Sequence, residues 1–254
     1  MDRLGDRYQH PVWAGPRLDP VSELVLTILS QNTADTNSFR AFTAMRARYP
    51  DWTAALAAPT DELIEVIRPG GLAPTKGPRI QAVLARVHAA TDGGWDLGFL
   101  GNWPLEQARD WLTDLPGIGR KTAALVLLFA FGRPAFPVDT HVHRVALRLG
   151  LIPLGTDVTR AHDLLEQVLA DDEMYPFHVE LIRHGRDICR APRPICGICP
   201  LTDLCPYFAL AQRGKAAIAP IPRALARAEG EPRYHHELLH GWAAPHRAAP
   251  RPPG

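Results

Sequence analysis

The sequence predicts an all-α fold, on three observations. Apolar residues recur at i, i+3, i+4 and i+7 in segment after segment. No stretch of useful length alternates apolar and polar residues as a half-buried strand does. Proline and glycine fall between the periodic segments, where helices start and stop. Asp19-Pro20 reads as N-cap and first helical position, opening a helix through Leu24, Ile28 and Leu29. Phe39, Phe42, Met45 and Tyr49 mark a second, and Thr60-Asp61-Glu62 starts a third that ends at Pro69-Gly70-Gly71. The run GLAPTKGPRI reads as a loop, after which Ile80, Val83, Leu84 and Val87 form an amphipathic stripe. Leu105, Ala108 and Leu112 precede a Gly-rich turn, and Ala124 to Phe131 follow it. Val142, Ala146 and Leu149 continue the pattern, then Val158, Ala161, Leu165 and Val168. A last helix covers Phe177 to His184, with Gly185 expected as its C-cap.

Composition sets the class. With 254 residues, 46 % hydrophobic and 22 % charged, the chain can bury a core as one large or two small domains. Its longest apolar run, Ala123 to Phe131, is far too short to span a bilayer. The N-terminal MDRLGDRYQH lacks the apolar core of a signal peptide.

One segment carries most of the chemistry. Residues 115–144 read LPGIGRKTAALVLLFAFGRPAFPVDTHVHR. Leu115-Pro116-Gly117-Ile118-Gly119 makes a poor helix interior and a good connector, so its flanks form a helix–hairpin–helix. Exposed N–H groups at such a hairpin, ahead of a helix N-terminus, suit one nucleic-acid phosphate. Lys121 falls in the first turn of the second helix, where the positive end of the helix dipole disfavours its charge and favours a nucleophilic amine. A phosphate-binding P-loop is excluded: Arg120 separates Gly119 from Lys121, and no strand precedes. Asp139 most simply caps the next helix, and His141 and His143 read as packing or capping residues at its start.

All four cysteines lie in one stretch, Cys189, Cys196, Cys199 and Cys205, spaced C-x6-C-x2-C-x5-C. A disulfide framework is not expected in a chain of this size without a secretory signal. Four thiolates suit zinc or an iron–sulfur cluster, and ligand type alone does not choose.

Taken together, LPGIGRKTA, VDTH and the cysteine spacing, in this order, resemble the endonuclease III family of helix–hairpin–helix DNA glycosylases. The resemblance runs from about Leu24 to about Tyr207. It implies a [4Fe-4S] cluster on the four cysteines and catalytic roles for Lys121 and Asp139. It also implies a two-lobed fold. A six-helix barrel would span 22–136, a cluster lobe would join 1–21 to 137–211, and 212–254 would form a Pro/Arg-rich tail. The implied activity is that of a bifunctional N-glycosylase and abasic-site lyase in base excision repair, acting on damaged, oxidised pyrimidines. A monomer working on double-stranded DNA in the cytoplasm, without a membrane, is expected. Gly117 and Gly119 would hold the strand, with Arg190 and Arg193 adding positive charge. Leu72 matches the family's wedge leucine. Asn32, in LSQNTAD, stands where the family has glutamine. Related adenine-mismatch glycosylases share the cluster and aspartate but lack the lysine. A non-catalytic DNA-structure binder would have no use for Lys121 and Asp139 together.

Charge adds a constraint. Residues 1–212 hold 21 Lys/Arg against 24 Asp/Glu, and residues 213–254 hold seven against three. DNA binding must therefore rest on a local basic face and on the tail rather than on the overall field. The tail also contains His236-Glu237-Leu238-Leu239-His240, a zincin-like spacing read as a chance match because Gly241 would end any helix.

Overall fold

The structure is a computed structural model that describes residues 2–222; the His236–His240 run lies outside the described residues. Among the described residues every regular element is a helix. The order is α1 (Asp2–Tyr8), α2 (Pro20–Ser30), α3 (Asp35–Arg48), α4 (Trp52–Ala57), α5 (Thr60–Ile67), α6 (Ala73–Ala90) and α7 (Phe99–Asn102). Then follow α8 (Leu105–Thr113), α9 (Arg120–Phe131), α10 (Thr140–Leu149), α11 (Val158–Val168), α12 (Met174–Asp187) and α13 (Pro206–Gln212). Local chemistry explains most starts. Asp19 accepts from the Ser22 N–H at 2.9 Å with Pro20 behind it, and Asp51 and Asp157 cap α4 and α11 in the same way.

The apolar stripes of α2 to α9 close on one core that runs in sequence from Val21 to Ala135. Ile28, Leu29, Met45, Ile80, Leu84 and Leu127 are fully buried there, each contributing roughly 1.5–3 kcal/mol on leaving water. α1 packs on α12, α10 packs on α12 and α13, and the hairpin joins α8 to α9. The buried strip Ala135-Phe136-Pro137-Val138 carries the chain from α9 to α10.

Three local readings are corrected. Residues 73–79 are helical, not loop, because Ala73, Lys76, Gly77 and Ile80 continue the buried face of α6 backwards. Pro74 sits where a helix needs no donor, while Pro78 forfeits one N–H bond that packing outweighs. Gly185 does not cap α12, which continues to Asp187. It lies where a Cβ would come within 2.9 Å of the His141 Cβ, so its lack of a side chain lets α10 and α12 approach. Nor does the chain leave the body at residue 213. The Ala219 N–H donates to the Pro194 carbonyl, and the Tyr207 hydroxyl donates to the Ala217 carbonyl, both at 2.8 Å.

Candidate active site and cysteine cavity

The hairpin is anchored through its apolar residues and presents its glycines. Leu115 and Ile118 are buried, while Pro116, Gly117 and Gly119 are exposed. The Ile118 N–H closes a tight turn on the Leu115 carbonyl at 3.1 Å. Gly117 has φ +72°, where another side chain would be strained, and a Cβ there would fall 2.2 Å from Arg79 Nε, so Arg79 would also have to move. Nothing lies within 4 Å of where a Cβ on Gly119 would sit. α9 starts next, placing Lys121 in its first turn as expected. Lys121 is exposed and makes no hydrogen bond or ion pair with another described residue, while its neighbours Thr122 and Ala123 are buried.

Asp139 caps α10, its Oδ1 accepting from the N–H groups of His141 (2.8 Å) and Val142 (2.7 Å). The backbone leading to it is clamped at three points. The Phe136 N–H donates to Glu166 Oε1 at 2.9 Å, His162 Nδ1–H donates to the Phe136 carbonyl at 2.9 Å, and His178 Nδ1–H donates to the Pro137 carbonyl at 3.0 Å. The Glu166 carboxylate also takes a bidentate pair from Arg109 at 3.0 and 3.1 Å and a contact from Arg120 at 3.3 Å. Arg120 reaches Asp163 as well, at 2.5 Å. One carboxylate therefore ties the residue next to Lys121 to the strip that ends in Asp139. Burial pushes the His178 imidazole down to about 4; the Lys121 charge acts in the same direction, and Asp139 and the Pro137 bond oppose it. Both Lys121 and Asp139 are thus within electrostatic reach of one buried ring. His143, as expected, serves the backbone, donating to the Thr156 carbonyl at 2.8 Å.

Asn32 and Leu72 both occupy left-handed backbone, with φ +52° and +53°, and both are exposed, Leu72 to 54 %. Their loops are stitched together by a lysine. Lys76 is 1 % exposed, and its Nζ donates to the Leu29 carbonyl (2.6 Å), Thr33 Oγ1 (2.6 Å) and the Gly70 carbonyl (3.1 Å). Burial, helped by the Arg79 charge, lowers its pKa. Gln31, not Asn32, reaches the hairpin. Its Nε2 donates to the Gly117 carbonyl at 3.2 Å and to Thr122 Oγ1 at 3.4 Å, while its Oε1 accepts from Arg79 at 2.7 Å.

The four cysteines line a single, largely enclosed cavity together with Arg148, His184, Ile188 and Tyr207. Burial pushes the Cys189 thiol up, and those of Cys196 and Cys199 up to about 11; crowding by neighbouring thiols adds to it. Arg148, donating to Cys189 Sγ at 3.5 Å, opposes the shift at Cys189. Among the described residues no three Cys, His, Asp or Glu side chains are grouped closely enough to hold a single ion. The loop bearing Cys189, Arg190 and Arg193 hangs from α10. Arg144 donates to the Cys189 carbonyl at 2.9 Å and the Gly185 carbonyl at 2.8 Å, and Arg148 to the Arg190 carbonyl at 2.8 Å. Arg190 and Arg193 themselves are exposed.

Comparison with known proteins decides the family. Residues 25–169 match the HhH-GPD superfamily of base excision DNA repair proteins. Endonuclease III of Synechocystis is 36 % identical over 188 residues, 74 % of this chain and 81 % of that protein. Endonuclease III of Bacillus subtilis is 33 % identical over 205 residues, 81 % and 89 % of the two chains. The solved structure of a trapped endonuclease III–DNA covalent intermediate superposes with a TM-score of 0.72 at 31 % identity, covering 84 % of this chain and 95 % of that one. The chain belongs to the endonuclease III family. It is a base excision repair enzyme, a DNA glycosylase and AP lyase.

Several residues of this endonuclease III relative escape a reading by motif. Glu166, His178, Arg144 and Arg148 act on backbone far away in sequence, so no local spacing marks them. Lys76 left one signal, a lysine on the buried stripe of an amphipathic helix. The structure brings the surroundings of Lys121 and Asp139 together through Glu166 and His178, and the loops of Asn32 and Leu72 together through Lys76. Arg190 and Arg193 belong to the cysteine loop.

Proposed function

We propose that this enzyme removes oxidised pyrimidines from duplex DNA through Lys121 and Asp139. The observation that carries the reading is an exposed, unpaired lysine at a helix start, coupled through Glu166 to the backbone that presents Asp139. A base must leave the stack before its glycosidic bond is accessible. The amine of Lys121 attacks the sugar C1′, a C–N bond forms, and the glycosidic electron pair departs with the base. The amine sheds a proton, the C1′–O4′ bond breaks with O4′ taking a proton, and the nitrogen lone pair completes the C1′=N bond of a protonated Schiff base. Removal of a C2′ proton then expels the 3′-phosphate by β-elimination. Asp139, with Oδ1 fixed by two N–H groups, keeps a carboxylate oxygen for the positive charge that develops on the sugar. The exposed glycines of the hairpin take a phosphate of the same strand, and Arg190 and Arg193 add local charge to a body that is otherwise acidic. Leu72 and Asn32, both exposed on loops that Lys76 ties together, would fill the space left by the extruded nucleotide.

Cys189, Cys196, Cys199 and Cys205 would hold a [4Fe-4S] cluster. Four thiols around one cavity, two buried and two half-buried, form a soft donor set that suits such a group. Bound there, the cluster supplies structural order to the 189–205 loop. The continuous core from Val21 to Ala135 supports a barrel over 22–136, with 1–21 and 137–211 forming the cluster lobe. The protein is read as a monomer.

The test is a panel of defined-lesion duplexes scored for base release and strand nicking, with borohydride trapping of the imine. Lys121→Ala is expected to abolish the trapped adduct while DNA binding stays within twofold. An undiminished adduct in that variant would overturn the assignment. Asp139→Asn is expected to slow base release more than it weakens binding.

A further inference from the structure

His178 stands apart from the other buried histidines of the α11–α12 wall. It is 1 % exposed, and its ring lies edge-on between Phe129 and Phe136, with centroids 5.8 and 5.9 Å away. A carbonyl can only accept, so the bond to Pro137 fixes the Nδ1–H tautomer and leaves Nε2 unprotonated. That Nε2 is buried and has no hydrogen-bond partner among the described residues. A buried acceptor left unpaired costs about 1–3 kcal/mol. The residue that His178 holds, Pro137, lies two positions before Asp139. The charges that bear on its ring include Asp139 and Lys121, with a smaller contribution from Arg186.

We propose that His178 is a positioning residue of the glycosylase and lyase reaction, setting Asp139 against Lys121 through its hydrogen bond to the Pro137 carbonyl. This rests on the assignment of Lys121 and Asp139 made above. The strip Phe136-Pro137-Val138 has no helical hydrogen bonding of its own, so its path is set by what grips its carbonyls. Release of the Pro137 carbonyl lets the N-cap of α10 shift, and a carboxylate displaced by about 1 Å loses much of its value at a developing charge. The ring must also stay neutral. An imidazolium beside Asp139 would compete with the sugar for the carboxylate, and burial among two phenyl rings prevents this.

The experiment compares His178→Asn, whose amide can still donate to Pro137, with His178→Leu, which cannot. The readouts are thermal midpoint, Kd for a lesion duplex, and single-turnover rates of base release and of borohydride-trapped adduct. His178→Asn is expected to lose only a few degrees of midpoint, because its shorter side chain leaves some space while keeping the Pro137 bond, and to retain the rate within threefold. His178→Leu is expected to bind DNA within twofold of wild type while both single-turnover rates fall at least tenfold. Equal activity of His178→Leu and wild type would overturn the proposal. So would a loss of rate in both variants alike, which would deny the Pro137 link, or a parallel fall of midpoint, binding and rate, which marks a structural role. Failure of the wild-type protein itself to form an adduct would instead strike at Lys121, keeping the two readings separate.

Discussion

Replacing Glu166 should reveal how much of the molecule depends on one carboxylate. Its side chain is 16 % exposed and that of Arg109 only 7 %, so the pair is shielded from water. Glu166→Ala removes two charge-assisted bonds to Arg109, one to Arg120, and the acceptor of the Phe136 N–H. Breaking a buried pair from one side costs about 3–5 kcal/mol. The loss here is tempered because Arg109 keeps Glu106 at 3.6 Å and Arg120 keeps Asp163. The expected cost is therefore about 3 kcal/mol, near the bottom of that range. For a body of this size that lowers the thermal midpoint by roughly 6–12 °C. Glu166→Gln keeps the volume and an acceptor for Phe136 but loses the charge, and should cost about half as much. Urea unfolding gives the stabilities, and single-turnover base release, measured well below each midpoint, gives the chemistry. With the fold intact, Glu166→Gln should still slow base release about tenfold, equivalent to about 1.4 kcal/mol in the barrier. A Glu166→Ala protein within 1 kcal/mol of wild type, with full activity, would refute the reasoning.

Three further outcomes follow from other contacts. The His178 imidazole is neutral in the folded protein down to about pH 4 but ionises near 6.5 once unfolded, so its contribution to stability is complete above pH 6.5 and drains away as the pH falls toward 4. His178→Asn should flatten the stability–pH curve in that window, and an unchanged slope in urea titrations at pH 7 and pH 5 would contradict it. Lys76→Met removes three hydrogen bonds that join the Asn32 and Leu72 loops, and should cost about 2–4 kcal/mol while raising Kd for lesion duplexes more than for undamaged DNA. Purified protein should contain about four irons per chain with broad visible absorbance. Cys199→Ser should lower that content and weaken DNA binding with a smaller effect on adduct formation at saturating protein, and one zinc without iron would exclude the cluster.

Sequence and structure agree where the cause is local. Asp19-Pro20 and Asp139 cap their helices because a side-chain oxygen two or three residues away is all that a cap requires. The hairpin was legible for the same reason: Gly117 needs its positive φ whatever surrounds it. Local reading failed where distant packing decides. APTKGPRI carries two prolines and a glycine, yet it is helical because its buried face meets α5 and the end of α2 at Leu29. Gly185 has the composition of a helix stop and the function of a spacer for α10. In the site, Lys121, Asp139 and the four cysteines stand in motifs and could be named. Glu166, His178 and Lys76 could not, since each grips backbone that only the folded chain brings near.

α10 begins at the N-cap Asp139, and its last two turns carry Arg144 and Arg148, which hold the cysteine loop. Ten residues of helix make a rod about 15 Å long. Asp139 therefore stands at the head of one stiff spacer while the cysteine loop hangs from its middle and far end, with α12 running alongside at the Gly185 contact. Arg144 holds the Cys189 carbonyl and feels the charges of both Cys189 and Asp139, so a side chain as well as the helix links the two. A single helix thus belongs both to the thiol cavity and to the site that makes and breaks bonds, and its length sets the spacing between them.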